Sequence, residues 1–253
     1  MVMATKGRSG KTEIADEDLA DTDDGVSPYA QKATASLPAK YDPRSKNTLT
    51  TIKNQFQTGT CWAFAALSCT ESNLIQKGLE NQNVQFSVPS LVLSTYANGG
   101  FDESIWDCGG TWMDSSLAMA AHRGLCYDEY EPFVSDGTEA TIVSEEKRAF
   151  ANISLITLPL SQADETPLKQ DKELGGVMVS YYADDLYMTF DNKSYYDPET
   201  TKYSGINHAV SVVGWDDNYS KSNFLAGYQP KKTGMACERL LGSIRWHRRL
   251  LLD

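Results

Sequence analysis

The chain has 253 residues, a formal net charge of −11 and 41% hydrophobic residues. That length and apolar content suffice for one or two packed lobes. The acidic balance argues against nucleic acid or an anionic membrane surface as partner, and no apolar run approaches the roughly 20 residues of a membrane span. Residues 1–36 are polar and carry acidic runs at Glu13–Asp18 and Asp21–Asp24, which predicts a disordered arm. The first 21 residues have no apolar core of the signal-peptide kind, so either the chain is cytoplasmic or a signal lies upstream of this start.

Residues 37–51 read as an extended lead-in to the most informative stretch, residues 52–67, IKNQFQTGTCWAFAAL. From Cys61 the apolar spacing is helical, with Phe64, Leu67, Leu74 and Ile75 on one face. Thr60 stands where an N-cap belongs and Gly78 where the helix should stop. Cys61 then sits in the first helical turn, where unpaired N–H groups and the helix dipole favour a thiolate. Gln55, six residues earlier, is placed to bring a side-chain amide beside the sulfur, the neutral donor that acyl transfer through a thioester requires. Taken alone, a cysteine opening an apolar helix is more often a small buried hydrophobe.

Residues 86–97 and 112–123 read as two further helices, with a glycine-rich loop between them that includes Gly99-Gly100 and Gly109-Gly110. In the second of these helices Met113, Leu117 and Ala120 or Ala121 form one stripe, and His122 near its end reads as structural. Residues 139–151 read as a surface helix, 153–160 and 174–182 as strands, and the tyrosine-rich stretch 186–204 as sheet surface. Residues 208–214, HAVSVVG, are strongly β-prone. His208 opens this strand, where an imidazole can take the Cys61 proton and later return it to a leaving amine.

The order Gln55-x5-Cys61-Trp62-Ala63-Phe64 resembles the active-site segment of papain-like cysteine peptidases. LPAKYDP at 37–43 resembles the mature start of that family, and INHAVSVVGW at 206–215 its histidine segment, with GWDDNYS resembling bacterial members. The resemblance runs from about Leu37 to about Lys232 and implies an α+β fold of two lobes. A helical lobe at 37–135 carries Cys61 and a β-rich lobe at 136–232 carries His208, with residues 126–133 crossing between them. It also implies a cysteine-type peptidase: Cys61 as nucleophile, His208 as acid and base, Gln55 and the Cys61 N–H as oxyanion donors, and Gly109-Gly110 along the substrate cleft. Glycine suits that place because another backbone can approach closely. Trp62 belongs to the site wall or simply to the core. The partner implied is a peptide or protein substrate and the compartment extracellular or cell-surface; no cofactor is implied, and the cysteines and histidines lack zinc-type spacing. The arm at 1–36 admits a second reading as the end of an inhibitory propeptide.

Three departures stand out. Relatives often place a cysteine three residues before the nucleophile, bridged to one near the Gly-Gly segment; Thr58 occupies that position, leaving Cys108 without its expected partner. The five cysteines fit either reduced thiols or up to two bridges. The family's Asn-Ser-Trp-Gly segment, whose asparagine orients the histidine, is absent, and residues 233–253 match nothing in the family. A frameshift is one hypothesis for this tail: the codons of Met235-Ala236 always spell Trp in the next frame. The chain as given is expected to lack the last strands of the second lobe, with Asn218 or Asn223 as candidate substitutes for the orienting residue. Two rival readings keep the cleft but change the outcome: a binding or adhesion module without turnover, or an acyltransferase that passes the thioester to an amine.

Overall fold

The computed structural model describes residues 2–6, 37–96, 106, 109–121, 124–133, 148–149, 151–155, 175–190, 194–198, 206–231, 234–240 and 249–251. His122, Cys108, Gly99 and Gly100, most of the acidic arm and most of the expected helix 139–151 lie outside these residues. The elements are β1 (Val2–Lys6), β2 (Lys40–Tyr41), α1 (Cys61–Gln76), α2 (Val88–Tyr96), α3 (Trp112–Ala121), β3 (Leu125–Cys126), β4 (Arg148–Ala149), β5 (Ala151–Leu155), β6 (Val177–Tyr181), β7 (Ser194–Tyr195), β8 (His208–Tyr219), β9 (Gly234–Leu240) and β10 (Arg249–Leu251).

Helix α1 is the axis of the fold. Its run CWAFAAL is apolar on every side, and from Trp62 to Leu74 all its residues except Ser68 are buried. The one-face stripe expected from periodicity is therefore too narrow: α1 packs on α2 and α3 on one side and on β6 and β8 on the other. Gly175 and Gly176 permit that closeness. Gly175 has φ +92°, and a Cβ there would lie 2.6 Å from the Asn73 backbone nitrogen; one at Gly176 would lie 2.3 Å from Ser211 Oγ. At this seam Cys69 Sγ and Ser211 Oγ are 3.1 Å apart, both fully buried.

Helix ends follow the local chemistry in two cases out of three. Ser87 caps α2, its hydroxyl accepting from Ser90 N–H at 3.0 Å. Thr111 and Asp114 form a reciprocal box at the head of α3, with Thr111 N–H to Asp114 Oδ2 at 2.7 Å and Asp114 N–H to Thr111 Oγ1 at 3.3 Å. Thr60 occupies the N-cap position of α1 but makes no side-chain cap; its hydroxyl is 2.6 Å from that of Thr58. The helix ends where Gly78 takes φ +67°, as the sequence indicates. On α3 the expected stripe fails at Leu117, which is 62% exposed while Ser115, Ala118 and Met119 are buried.

The main sheet runs β2-β8-β9-β10-β7, with β6 also paired to β8. Strand β8 is its spine, twelve residues long against the seven predicted. The lead-in is fastened to it by β2, by Trp215 Nε1 donating to Pro38 O at 2.9 Å and by the Lys40–Asp216 ion pair at 3.1 Å. The tail expected to leave β8 uncovered instead supplies β9, antiparallel to β8 from Ser211↔Leu240 to Tyr219↔Gly234 with two bulges, and β10, which joins β9 and β7. Within the arm expected to be disordered, Val2–Lys6 pair antiparallel with β5. Arg148 and Ala149 form a strand with β3, so the expected helix does not extend to them. In the tyrosine-rich stretch, Tyr187, Tyr195 and Tyr196 are buried and packed edge-on among other rings, not laid on a sheet surface.

Full burial drives the Cys69 thiol up from the ordinary 9.0 to about 11. The sign of the linkage follows: the folded chain holds this proton longer than the unfolded chain, so the contribution is complete below pH 9 and is lost as pH rises through about 11. Two pH units correspond to about 3 kcal/mol. Denaturant titrations between about pH 8 and pH 11 should show a steeper alkaline loss of stability in the parent than in Cys69→Ala; parallel curves would refute the assignment.

Candidate active site

The loop before α1 is held by short local bonds. Phe56 takes φ +51°, with its N–H bound to Asn54 Oδ1 at 2.7 Å and its ring stacked 6.4 Å from Phe133. Gln55 Nε2 donates to Thr58 O at 3.0 Å, and Thr58 Oγ1 donates to Gln55 O at 2.8 Å. The amide expected to face the sulfur thus uses one N–H to close its own loop, which leaves its chemistry one more N–H to give. Gly59 N–H donates to Trp106 O at 2.6 Å. That bond ties the loop before α1 to the segment around Trp106.

Cys61 is the first residue of α1 and half-buried; it, Cys69 and Cys126 carry free thiols among the described residues. Burial pushes the Cys61 thiol up, and N–H groups of Ala209, Trp62 and Cys61 itself, directed at the sulfur, pull it down less. The backbone donors at the helix start act in the direction that favours a thiolate, but desolvation outweighs them. The Ala209 N–H matters for a second reason. Ala209 follows His208, so the sulfur at the head of α1 meets the first turn of chain at the head of β8.

Asn207 fixes that strand start. Its Oδ1 accepts from Ala183 N–H at 2.6 Å, its Nδ2 donates to Ala183 O at 2.9 Å, and its own N–H reaches Tyr181 O at 3.2 Å. His208 is half-buried, with the Tyr181 ring 5.6 Å away at 66°. Asn218 and Asn223 do not stand in for the absent orienting residue: Asn218 lies ten positions along β8, about 30 Å of strand, and Asn223 lies beyond it.

Gly110 lies on Trp62, where an added Cβ would fall 2.5 Å from the indole ring; an added Cβ at Gly109 meets nothing within 4 Å. The Tyr96 hydroxyl donates to Gly109 O, and the Tyr96 and Trp62 rings meet edge-on at 5.9 Å. Trp62, fully buried, is thus the floor on which the Gly-Gly segment rests. Sequence reasoning missed Asn207 and Tyr181 as parts of this neighbourhood. The Asn-His dipeptide was a local signal for the first; the second depends on strand pairing.

Residues 37–228 match the family model described as papain family cysteine protease. The chain belongs to the papain family. Among curated relatives, procathepsin L of Mus musculus is 26% identical over 197 residues, covering 77% of this chain and 56% of that protein. The chain spans about half the length of such relatives. Among solved structures, the clostridial cysteine protease Cwp84 after propeptide cleavage superposes with a TM-score of 0.65 at 25% identity, over 83% of this chain and 53% of that one. A structure of the protease and lectin-like domains of Cwp84, a surface layer associated protein of Clostridium difficile, gives a TM-score of 0.66 at 24% identity, over 86% and 48%. The fold is the α+β papain fold. Among the described residues no helix is long and apolar enough to cross a membrane.

Proposed function

We propose that this chain hydrolyses peptide bonds as a cysteine-type endopeptidase, with Cys61 and His208 as its reacting pair. The observation that carries the reading is the Ala209 N–H at the Cys61 sulfur, which joins the two papain-family segments at one point. The Cys61 thiolate adds to the peptide carbonyl. The oxyanion is held by the second Gln55 N–H and the Cys61 backbone N–H. His208 protonates the departing amine, then takes a proton from the water that cleaves the thioester. With the Gly109 carbonyl engaged by Tyr96, Gly110 is the position at which substrate backbone pairs. Peptide or protein is the partner, and secretion or surface display goes with the same reading.

A second reading, a peptide-binding module without turnover, draws on the raised Cys61 thiol and the absent Asn-Ser-Trp-Gly segment. Incubation with a peptide library, with and without added amine, separates the readings by product mass. Hydrolysed products that vanish in Cys61→Ala support the peptidase. Amine adducts in place of acids would mean acyl transfer. Peptide retention without any product would overturn turnover altogether.

A further inference from the structure

Resting on the reading of His208 as the reacting imidazole, we propose that Tyr181 is a positioning residue that holds the His208 ring in place. In the β6–β8 register Tyr181 stands directly opposite His208, so both side chains leave the sheet on the same face. Their centroids are 5.6 Å apart with planes at 66°, the tilted arrangement that aromatic pairs favour.

Tyr181 is itself buttressed. The Tyr195 ring meets it at 5.4 Å and 64°, and the Tyr195 hydroxyl donates to Tyr182 O at 2.7 Å, on the residue beside Tyr181. Behind Tyr195 lies Tyr187, at 6.5 Å, and behind that Tyr228, at 5.0 Å. The Asn207–Ala183 clamp fixes the backbone on the other side. Both rings of the pair therefore stand on backbone pinned at each flank, which limits the rotations open to the imidazole. Among the described residues, the titratable groups around this cluster include Tyr181 from β6, Tyr195 from β7, the further rings Tyr187 and Tyr228, Cys61 at the neighbouring Ala209 N–H, and the carboxylates Asp184 and Asp197 that act on Tyr195. Burial and then Asp197 push the Tyr195 hydroxyl well above its ordinary range, so it stays neutral across the pH at which an imidazole titrates.

The test is the pH profile of Cys61 alkylation by iodoacetamide in the full chain, read by peptide mass, in Tyr181→Phe and Tyr181→Leu. Tyr181→Phe keeps the ring and should keep the profile. Tyr181→Leu should move the acid limb up by about half to one pH unit while leaving the alkaline rate unchanged. An unmoved acid limb, or an equal loss at every pH, would overturn the proposal. A second measurement holds if Tyr181→Leu does not fold. In the parent, the His208 ring proton signal, assigned by its loss in His208→Gln, should be displaced by the Tyr181 ring current; an undisplaced signal overturns the contact. Should the parent show no acid labelling at all, the reacting-pair reading falls, and the His208 signal still decides the Tyr181 contact by itself.

Discussion

Replacing His208 with alanine should slow iodoacetamide labelling of Cys61 about a hundredfold at pH 5 and hardly at all near pH 9. The argument starts from the thiol alone. Burial already holds it above its ordinary 9.0, and the N–H groups of Ala209, Trp62 and Cys61 do not reverse this. Four pH units lower, an isolated thiol of that kind is ionised about one part in ten thousand. An imidazolium alongside restores the thiolate, but a thiolate of low pKa is a weaker nucleophile, which returns about half of the gain on a logarithmic scale. Two of the four decades remain. The sign is fixed by the direction of the shift: without His208 the rate climbs only as pH rises past 9, whereas the parent is already reactive in acid. Peptide turnover should fall further, by about two to four decades, because the leaving amine also loses its proton donor. Mass mapping separates Cys61 from the buried Cys69 and Cys126. Superimposable profiles for the parent and His208→Ala would remove the pair from the mechanism.

The parts of this site that were legible in the sequence are those fixed within a few residues. Gln55-x5-Cys61 is one loop and one helix start, and Asn207-His208 is one strand start, so motif spacing suffices for both. What the sequence concealed is long-range. All-round burial of α1 depends on β6 and β8, far along the chain, and burial at Cys61 outweighs the helix-start donors. Leu117 fits an apolar stripe by spacing yet faces solvent, because α3 turns its Ala118 and Met119 side inward. The tail shows the converse. Residues 233–253 resemble no family segment, yet β9 lies along β8, since an exposed strand edge offers backbone partners to any extended segment with few demands on side chains. The tyrosines were visible as composition, but their inward packing and the Tyr181–His208 pair exist only once β6 is set against β8.

Lys53→Met should cost about 3–5 kcal/mol of stability. Glu71 is completely buried in α1, ten residues after Cys61. Its Oε1 meets Lys53 Nζ at 2.5 Å and Phe86 N–H at 2.8 Å, and its Oε2 accepts from Thr50 Oγ1 at 2.8 Å. Removing the ammonium leaves a carboxylate in the core with neutral donors only, and the loss is set by that stranded charge more than by the value of the pair. Against a total stability of about 5–15 kcal/mol, this is a large share. For a chain of this size it corresponds to a fall in Tm of about 6–20 °C, readable by circular dichroism. The companion variant decides the cause. Lys53→Met with Glu71→Leu removes both charges and should recover much of the loss, which a mere packing defect at Lys53 would not allow. High salt should leave the difference nearly unchanged, since the pair is shielded from solvent. The position gives the pair its consequence for the site. Lys53 is two residues before Gln55, and Phe86 leads into α2, so one carboxylate ties the Gln55 loop and the neighbouring helix to the element that presents Cys61. A double variant no more stable than Lys53→Met would defeat this account.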